Sequence, residues 1–227
     1  MSSKGNNRHM NRFAASNYLK VERKLSKYIA KPNAGRFTSK NTIALVTLLK
    51  EKMHVAADTR EARLLLKKGN VRINGKAVRD ERYPVGFGDV VSFSDGESYR
   101  IDVAKHGYIS PVESDAKAGN ARLLKVIGKY VGSGNRMMIR LYDGTTISGK
   151  NDIMVNDSVS VQDGAVKSVV KFSKGAKCYV IKGKHASESG VIKAVTEGTA
   201  TRSPTVEIDS GKGTFQTLLE NIMVTGE

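Results

Sequence analysis

Cysteine occurs once in these 227 residues, at Cys178, and tryptophan not at all. A lone cysteine excludes an internal disulfide and fits a reducing compartment; within the apolar alternation "KCYVI" it reads as a packed core residue. Long apolar runs are missing as well. The longest, Ile43 to Leu49, falls far short of the roughly 20 residues that a bilayer-crossing helix needs. The opening "MSSKGNNRHMNRF" has no apolar h-region, so no secretory signal is expected and the chain is expected in the cytoplasm. Chemistry-bearing motifs are equally scarce. There is no HExxH, CxxC or nucleophile elbow, and His9, His54, His106 and His185 are widely spread, which leaves no candidate catalytic or metal-ligating residues and no implied cofactor. "GNVRINGKA" has the wrong spacing for a phosphate-binding loop and lacks the hydroxyl residue that would hold magnesium.

Acidic residues are also in short supply, 22 Asp and Glu against 38 Lys and Arg, for a net charge of +16. Such a field attracts polyanions. The excess is concentrated: residues 1–40 carry ten Lys or Arg and one Glu, 41–105 twelve against nine, and 106–227 sixteen against twelve. The first segment is poor in aliphatic residues and "KVERKLSKYIAKPNAGRF" is interrupted by Pro32 and Gly35, so it is expected to order only on a partner. One reading is a solvated tail. The other is an arm lying along phosphates, with Arg8, Arg12, Lys20, Arg23, Lys24, Lys27, Arg36 and Lys40 as contacts. Tyr18, Tyr28 and Phe37, spaced among the cations, would then stack on unpaired bases.

Between 41 and 105 the pattern becomes regular. Asp58 followed by Glu61 makes a capping-box-like start and Gly69 a stop, which predicts a helix over 59–68. Ala62, Leu65 and Leu66 share one face of it; Arg60, Arg63 and Lys67 form a cationic stripe on the other. An earlier helix, "TIALVTLLKEKM", offers Ile43, Val46 and Leu48 or Leu49 as a matching apolar face. "VRING" turns Val71 and Ile73 inward and Arg72 outward, and Asn74-Gly75 signals a tight hairpin. A second turn over Gly86 to Asp89 leads Val90 and Val91 into a closing strand. The unit would display Arg60, Arg63, Lys67, Lys68, Arg72 and Lys76. "TREARLLLKKGNVRINGKAV" followed by "PVGFGDVV" resembles the small RNA-binding domain of bacterial ribosomal protein four, several RNA pseudouridine synthases and tyrosyl-tRNA synthetases.

The stretch 106–120, "HGYISPVESDAKAGN", reads as a boundary. Beyond it, short alternating runs recur about every ten residues with turns at Asp143-Gly144, Asn156-Asp157, Asp163-Gly164, Lys174-Gly175 and Ser210-Gly211, which predicts an all-β region of one or two small barrels. Residues 174–195, "KGAKCYVIKGKHASESGVIKAV", resemble a KOW motif. Its basic loop spans Lys182 to His185, Lys182 and Lys184 are expected to reach outward as RNA contacts, and Gly190 would sit where a side chain obstructs.

The order of parts resembles the small-subunit ribosomal protein four family of archaeal and eukaryotic type, over essentially the whole chain. "GNNRHMNRFAASNY", "YPVGFGDVV", "YDGTTI...VNDSV" and "NIMVTG" carry the likeness. Asn6 and Ser16 stand where the family has proline, Asn11 where it has a basic residue, Tyr18 where it has tryptophan, and Ser187 and Glu188 where its KOW loop tends to glycine and arginine. The end at Glu227 is expected to reflect an archaeal-like length. The expected fold is α+β, mainly β, with a basic arm (1–40), a two-helix and hairpin RNA-binding domain (41–105), a central β domain (106–172) and a KOW-containing barrel (173–227). The resemblance implies a non-catalytic constituent of the small ribosomal subunit, one copy in each, with small-subunit rRNA and neighbouring ribosomal proteins as partners. It implies no membrane, cofactor, metal or small-molecule substrate. Two alternatives stand beside it. One is a non-ribosomal RNA-binding factor of elongation or chaperone type. The other is a pseudouridine synthase, whose Arg-Leu-Asp signature is approached by "IRLYDGT", although Tyr142 intervenes and Asp143-Gly144 is a good turn in itself.

Overall fold

The computed structural model describes residues 9–114, 121–162, 164–211 and 213–226. Arg8, residues 5–8 of the family-like opening, residues 115–120 of the expected boundary and Asp163 of the expected Asp163-Gly164 turn lie outside that range. The described residues form two compact units, one of 9–102 with 108–114, the other of 103–107 with 121–226. No helix among the described residues is long and apolar enough to cross a membrane.

In the first unit a helix runs over Thr59–Lys68, as its sequence predicts. Its start differs from a full capping box. The Asp58 side chain makes no cap bond; Glu61 instead reaches back to accept from the Ala57 N–H at 2.8 Å. At the other end Gly69 takes φ 79°, a left-handed conformation free of steric cost only for glycine, and its N–H closes on the carbonyls of Leu65 and Leu66. Ala62 and Leu66 are fully buried, while Arg60, Arg63, Lys67 and Lys68 face solvent.

The preceding segment corrects the expected helix. Ile43–Ala44 is a strand paired with Pro84–Val85, and only then does an α turn, Leu45–Thr47, open into a wider π turn, Leu48–Lys52. Ile43 is β-branched, and its extended backbone finds partners in the 84–85 strand that a helix would have forgone. Its side chain still enters the core with Val46, Leu48, Leu49, Ala62, Leu66, Val71 and Ile73. Each large aliphatic side chain sequestered there contributes about 1.5–3 kcal/mol.

The hairpin Val71–Ile73 with Lys76–Ala77 turns through Asn74 (φ 51°) and Gly75 (φ 82°), the paired left-handed conformations of a type I′ turn. It forms one edge of an antiparallel sheet in the order Lys76–Ala77, Val71–Ile73, Val90–Phe93, Ser98–Ala104, Tyr108–Glu113. A buried carboxylate ties the two turns together. Asp89 accepts from the Asn74 side chain at 2.7 Å, the Gly86 N–H at 3.1 Å and Arg36 at 2.9 Å. The arm folds on its own chain: His9–Asn11 pairs with Tyr28–Ala30, and Ala15 and Leu19 are buried in the same core.

The second unit is built of two five-stranded antiparallel sheets. One runs Thr146–Ser148, Met137–Leu141, Arg122–Val131, Ser158–Gln162, Ala165–Val170 over a core of Leu124, Val126, Ile139, Leu141, Val159 and Val161. The other runs Thr214–Leu218, Thr205–Asp209, Ser189–Thr196, Lys177–Val180, Ile222–Gly226 around Cys178, Val180, Ile192, Val206 and Ile208. Burial pushes the Cys178 thiol up to about 11, so it is an inert core group. Gly190 meets the sequence expectation: a Cβ there would lie 2.5 Å from the Asp209 carbonyl oxygen and 2.6 Å from Ile208 Cγ2.

Candidate nucleic-acid interface

The cations singled out in the sequence fall into two groups. Lys24, Lys27, Lys40, Arg60, Lys67, Lys68, Arg72, Lys76 and Lys184 are exposed. Arg60, Arg63, Lys67 and Lys68 share the outer face of the Thr59–Lys68 helix with Leu64, an exposed apolar residue among them. Arg72 and Lys76 sit on the two strands of the tight hairpin, opposite Ala77 and Ile73.

The other cations also touch the protein, Arg12, Arg36 and Lys182 from buried or half-buried positions and Lys20, Arg23 and Arg63 from exposed ones. Arg12 is only 4% exposed; its guanidinium pairs with Glu51 and donates to Ser26 Oγ at 2.8 Å and the Glu22 carbonyl at 3.0 Å. Arg36 is half-buried, bridged to Asp89 and 5.3 Å from the Phe37 ring. Arg63 is exposed but pairs with Glu81, which holds its guanidinium above the usual arginine range. Arg23 donates to the Phe13 carbonyl at 3.2 Å and to Asn17 Oδ1 at 2.5 Å. Lys20 lies 5.0 Å from the Tyr108 ring. Lys182, expected to reach outward, is half-buried against Tyr142 at 5.2 Å, and burial lowers its pKa.

The rings expected to stack on bases are largely committed. Phe37 packs on the backbone at Gly86, where an added Cβ would come within 2.7 Å of the ring. Tyr18 is half-buried against the core. Tyr28 keeps about half of its surface, with His9 edge-on at 4.6 Å and Lys27 at 5.3 Å. His185, in the basic loop, is stacked on Phe215 at 4.1 Å and bonded to Glu188.

Folding also assembles a feature that no local pattern announces. A cleft of about 360 Å³ opens between the arm ribbon and the helices, lined by His9, Arg12, Tyr28, Lys50, Glu51, Arg63, Glu81 and Arg82 among others. It joins arm cations to helix cations, and it recruits Lys50 and Arg82, which sequence reasoning passed over. Lys50 follows Val46 by four residues, so its place on the polar border of the 43–52 apolar face was available as a signal. The cleft suits a phosphate group: cations outnumber carboxylates, Glu51 and Glu81 hold Arg12 and Arg63 in place, and Lys50 and Arg82 stand beside those pairs.

A catalytic reading of "IRLYDGT" fails on the same kind of detail. Asp143 is fully buried and spends its oxygens on Arg122 at 2.9 Å, the Thr145 N–H at 2.9 Å and the Thr145 hydroxyl at 2.6 Å. It is the turn residue its Gly144 partner (φ 79°) suggests.

Comparison with known proteins agrees with this anatomy. The model of the ribosomal family S4e matches residues 95–164 and that of the S4 domain residues 45–91. The small ribosomal subunit protein eS4 of Haloarcula marismortui is 32% identical over 226 residues, 96% of this chain and 96% of its own length. That of Methanocella arvoryzae is 30% identical over 224 residues, covering 96% and 94%. The crystal structure of the 30S ribosomal protein S4e from Thermoplasma acidophilum superposes with a TM-score of 0.72 at 27% identity, over 82% of this chain and 96% of that one. The helix, the hairpin and the start of the closing strand lie within the S4-domain match, and the chain belongs to the S4e family of ribosomal proteins.

Proposed function

We propose that the chain is a structural constituent of the small ribosomal subunit, located in the cytoplasmic ribosome, that binds and stabilises rRNA; it is not an enzyme. The observation that carries this is the division of labour on the Thr59–Lys68 helix. Ala62 and Leu66 are consumed by the core, and the opposite face presents Arg60, Arg63, Lys67 and Lys68 to solvent. Such a face holds folded RNA through its phosphates and its shape. The hairpin residues Arg72 and Lys76, and the exposed arm residues Lys20, Arg23, Lys24, Lys27 and Lys40, extend the surface, with Lys50 and Arg82 added at the cleft. Arg12 and Arg36 are left out, because their guanidinium groups are buried or half-buried against Glu51 and Asp89, whereas Arg63 pairs with Glu81 from the open surface.

The finer division is proposed on the same footing: an arm over 1–40, an RNA-binding domain over 41–105, a central β domain over 106–172 and a KOW-containing barrel over 173–227. The close backbone approach at Gly190 supports the last. Lys184 is its exposed cation, Lys182 a partly covered one. One copy in each subunit, neighbouring ribosomal proteins as further partners and no small-molecule substrate complete the reading. Ultraviolet crosslinking of purified small subunits, with sequencing of RNA-linked peptides, tests it. Linked peptides should come from 60–76 and from the arm; RNA-linked peptides from the second unit alone would refute the interface.

A further inference from the structure

A second cleft, of about 490 Å³, lies wholly within the second unit, apart from the helix and hairpin cations described above, and takes in the partly covered Lys182. Lys125, Tyr142, Lys182 and Glu220 supply its polar lining; Ile127, Pro204 and Leu218 are among its apolar walls. Lys125 is 3% exposed, and its ammonium donates to the Leu219 carbonyl at 2.6 Å. Lys182 rests over the Tyr142 ring. Glu220 acts favourably on both lysines, but burial outweighs it at each. The cleft thus holds two partly desolvated ammonium groups against a single carboxylate, and a second carboxylate would relieve that imbalance.

The surface next to it is of a different character. Ile127 of the lining and Met154 and Val155, which precede the lining residue Asn156, are exposed large apolar residues, and the Asn156 N–H bond to the Val126 carbonyl at 3.0 Å ties that loop to the strand of Ile127. An RNA backbone would use the lysines and leave these side chains facing charge or water. A polypeptide carrying an apolar side chain next to an acidic one uses both features. We propose that this cleft is a docking site for an extended acidic and apolar segment of another polypeptide of the small subunit. The proposal rests on the assignment of the chain to that subunit.

The test uses intact small subunits assembled with the full chain carrying a benzoylphenylalanine photoprobe in place of Ile127, and a parallel preparation with the probe in place of Leu64 on the RNA-facing helix. The Ile127 probe should link to a polypeptide whose sequenced stretch has Asp or Glu within a few residues of an apolar side chain. Lys182→Glu should reduce that yield about tenfold or more, and Lys182→Arg should preserve it. Linkage of the Ile127 probe to RNA, no linkage, or a protein linkage unmoved by Lys182→Glu would overturn the proposal. If the Leu64 probe still links to rRNA, the docking site alone fails; if the chain is absent from the subunits, both readings fall.

Discussion

Arg12→Met separates a structural cation from a phosphate contact. In the folded chain the Arg12 guanidinium meets Glu51 with two nitrogens, Ser26 Oγ and the Glu22 carbonyl, all from nearly complete burial. Methionine preserves much of the stem's packing but takes from Glu51, itself 14% exposed, its direct ion-pair partner. Breaking such a pair from one side costs about 3–5 kcal/mol. The cost is local, because Arg12 fastens the ribbon of His9–Asn11 and Tyr28–Ala30 to the helical layer. At about 1.4 kcal/mol per factor of ten, amides in residues 9–30 should exchange with deuterium about 10²- to 10⁴-fold faster. Arg12→Met combined with Glu51→Leu should recover most of the protection, since an apolar pair of similar volume replaces a buried ion pair at little cost. Unchanged exchange in the single variant, with weakened rRNA binding, would refute the reasoning and return Arg12 to the RNA interface.

Three further outcomes follow from the second unit. Gly190→Ala drives a methyl group into the Asp209 carbonyl and Ile208, forcing two paired strands apart; a loss of about 1–3 kcal/mol in urea unfolding is expected. Ser187 sits at φ 75°, a conformation that costs a residue with a side chain about 1–2 kcal/mol, so Ser187→Gly should stabilise the unit despite the added freedom of the unfolded chain. For Lys125, burial lowers the pKa from 10.5 to about 8, so between those values the unfolded chain binds the extra proton and stability rises with pH. The penalty, about 3 kcal/mol, is fully present below the folded value and gone above the unfolded one. Lys125→Met should remove that rise from the pH profile of unfolding, and an identical profile in both chains would contradict the burial argument.

What could be read in the sequence was what neighbours in the chain decide. The Thr59–Lys68 helix, its glycine stop, the Asn74-Gly75 hairpin and the alternation around Cys178 rest on periodicity and turn chemistry within a few residues. The cationic helix face was legible for the same reason. Features set by distant partners were not. Arg12 and Glu51 are 39 residues apart, and Arg36 and Asp89 are 53, so charges that look solvated in a local window turn out to be buried pairs. Asp89, Asp143 and Asp157 act as buried caps for turns, a role visible only once the accepted N–H groups are brought to them. Phe37 was spent on Gly86 and Lys182 on Tyr142 by the same long-range closure. Ile43–Ala44 became a strand because its partner, Pro84–Val85, lies about forty residues on.

The central claim is that exposed cations on the S4-domain helix grip rRNA phosphates, and the salt dependence of binding measures this most directly. For a chain that displaces about six to ten counterions, affinity for a small-subunit rRNA fragment should fall about 10³- to 10⁵-fold between 50 and 200 mM salt. In Arg60→Gln/Arg63→Gln/Lys67→Gln the logarithmic slope should be shallower by about two to three, toward the lower figure because Arg63 is already shared with Glu81, while the helix amides keep their exchange protection. A slope identical to that of the unsubstituted chain, with the fold intact, would contradict the account.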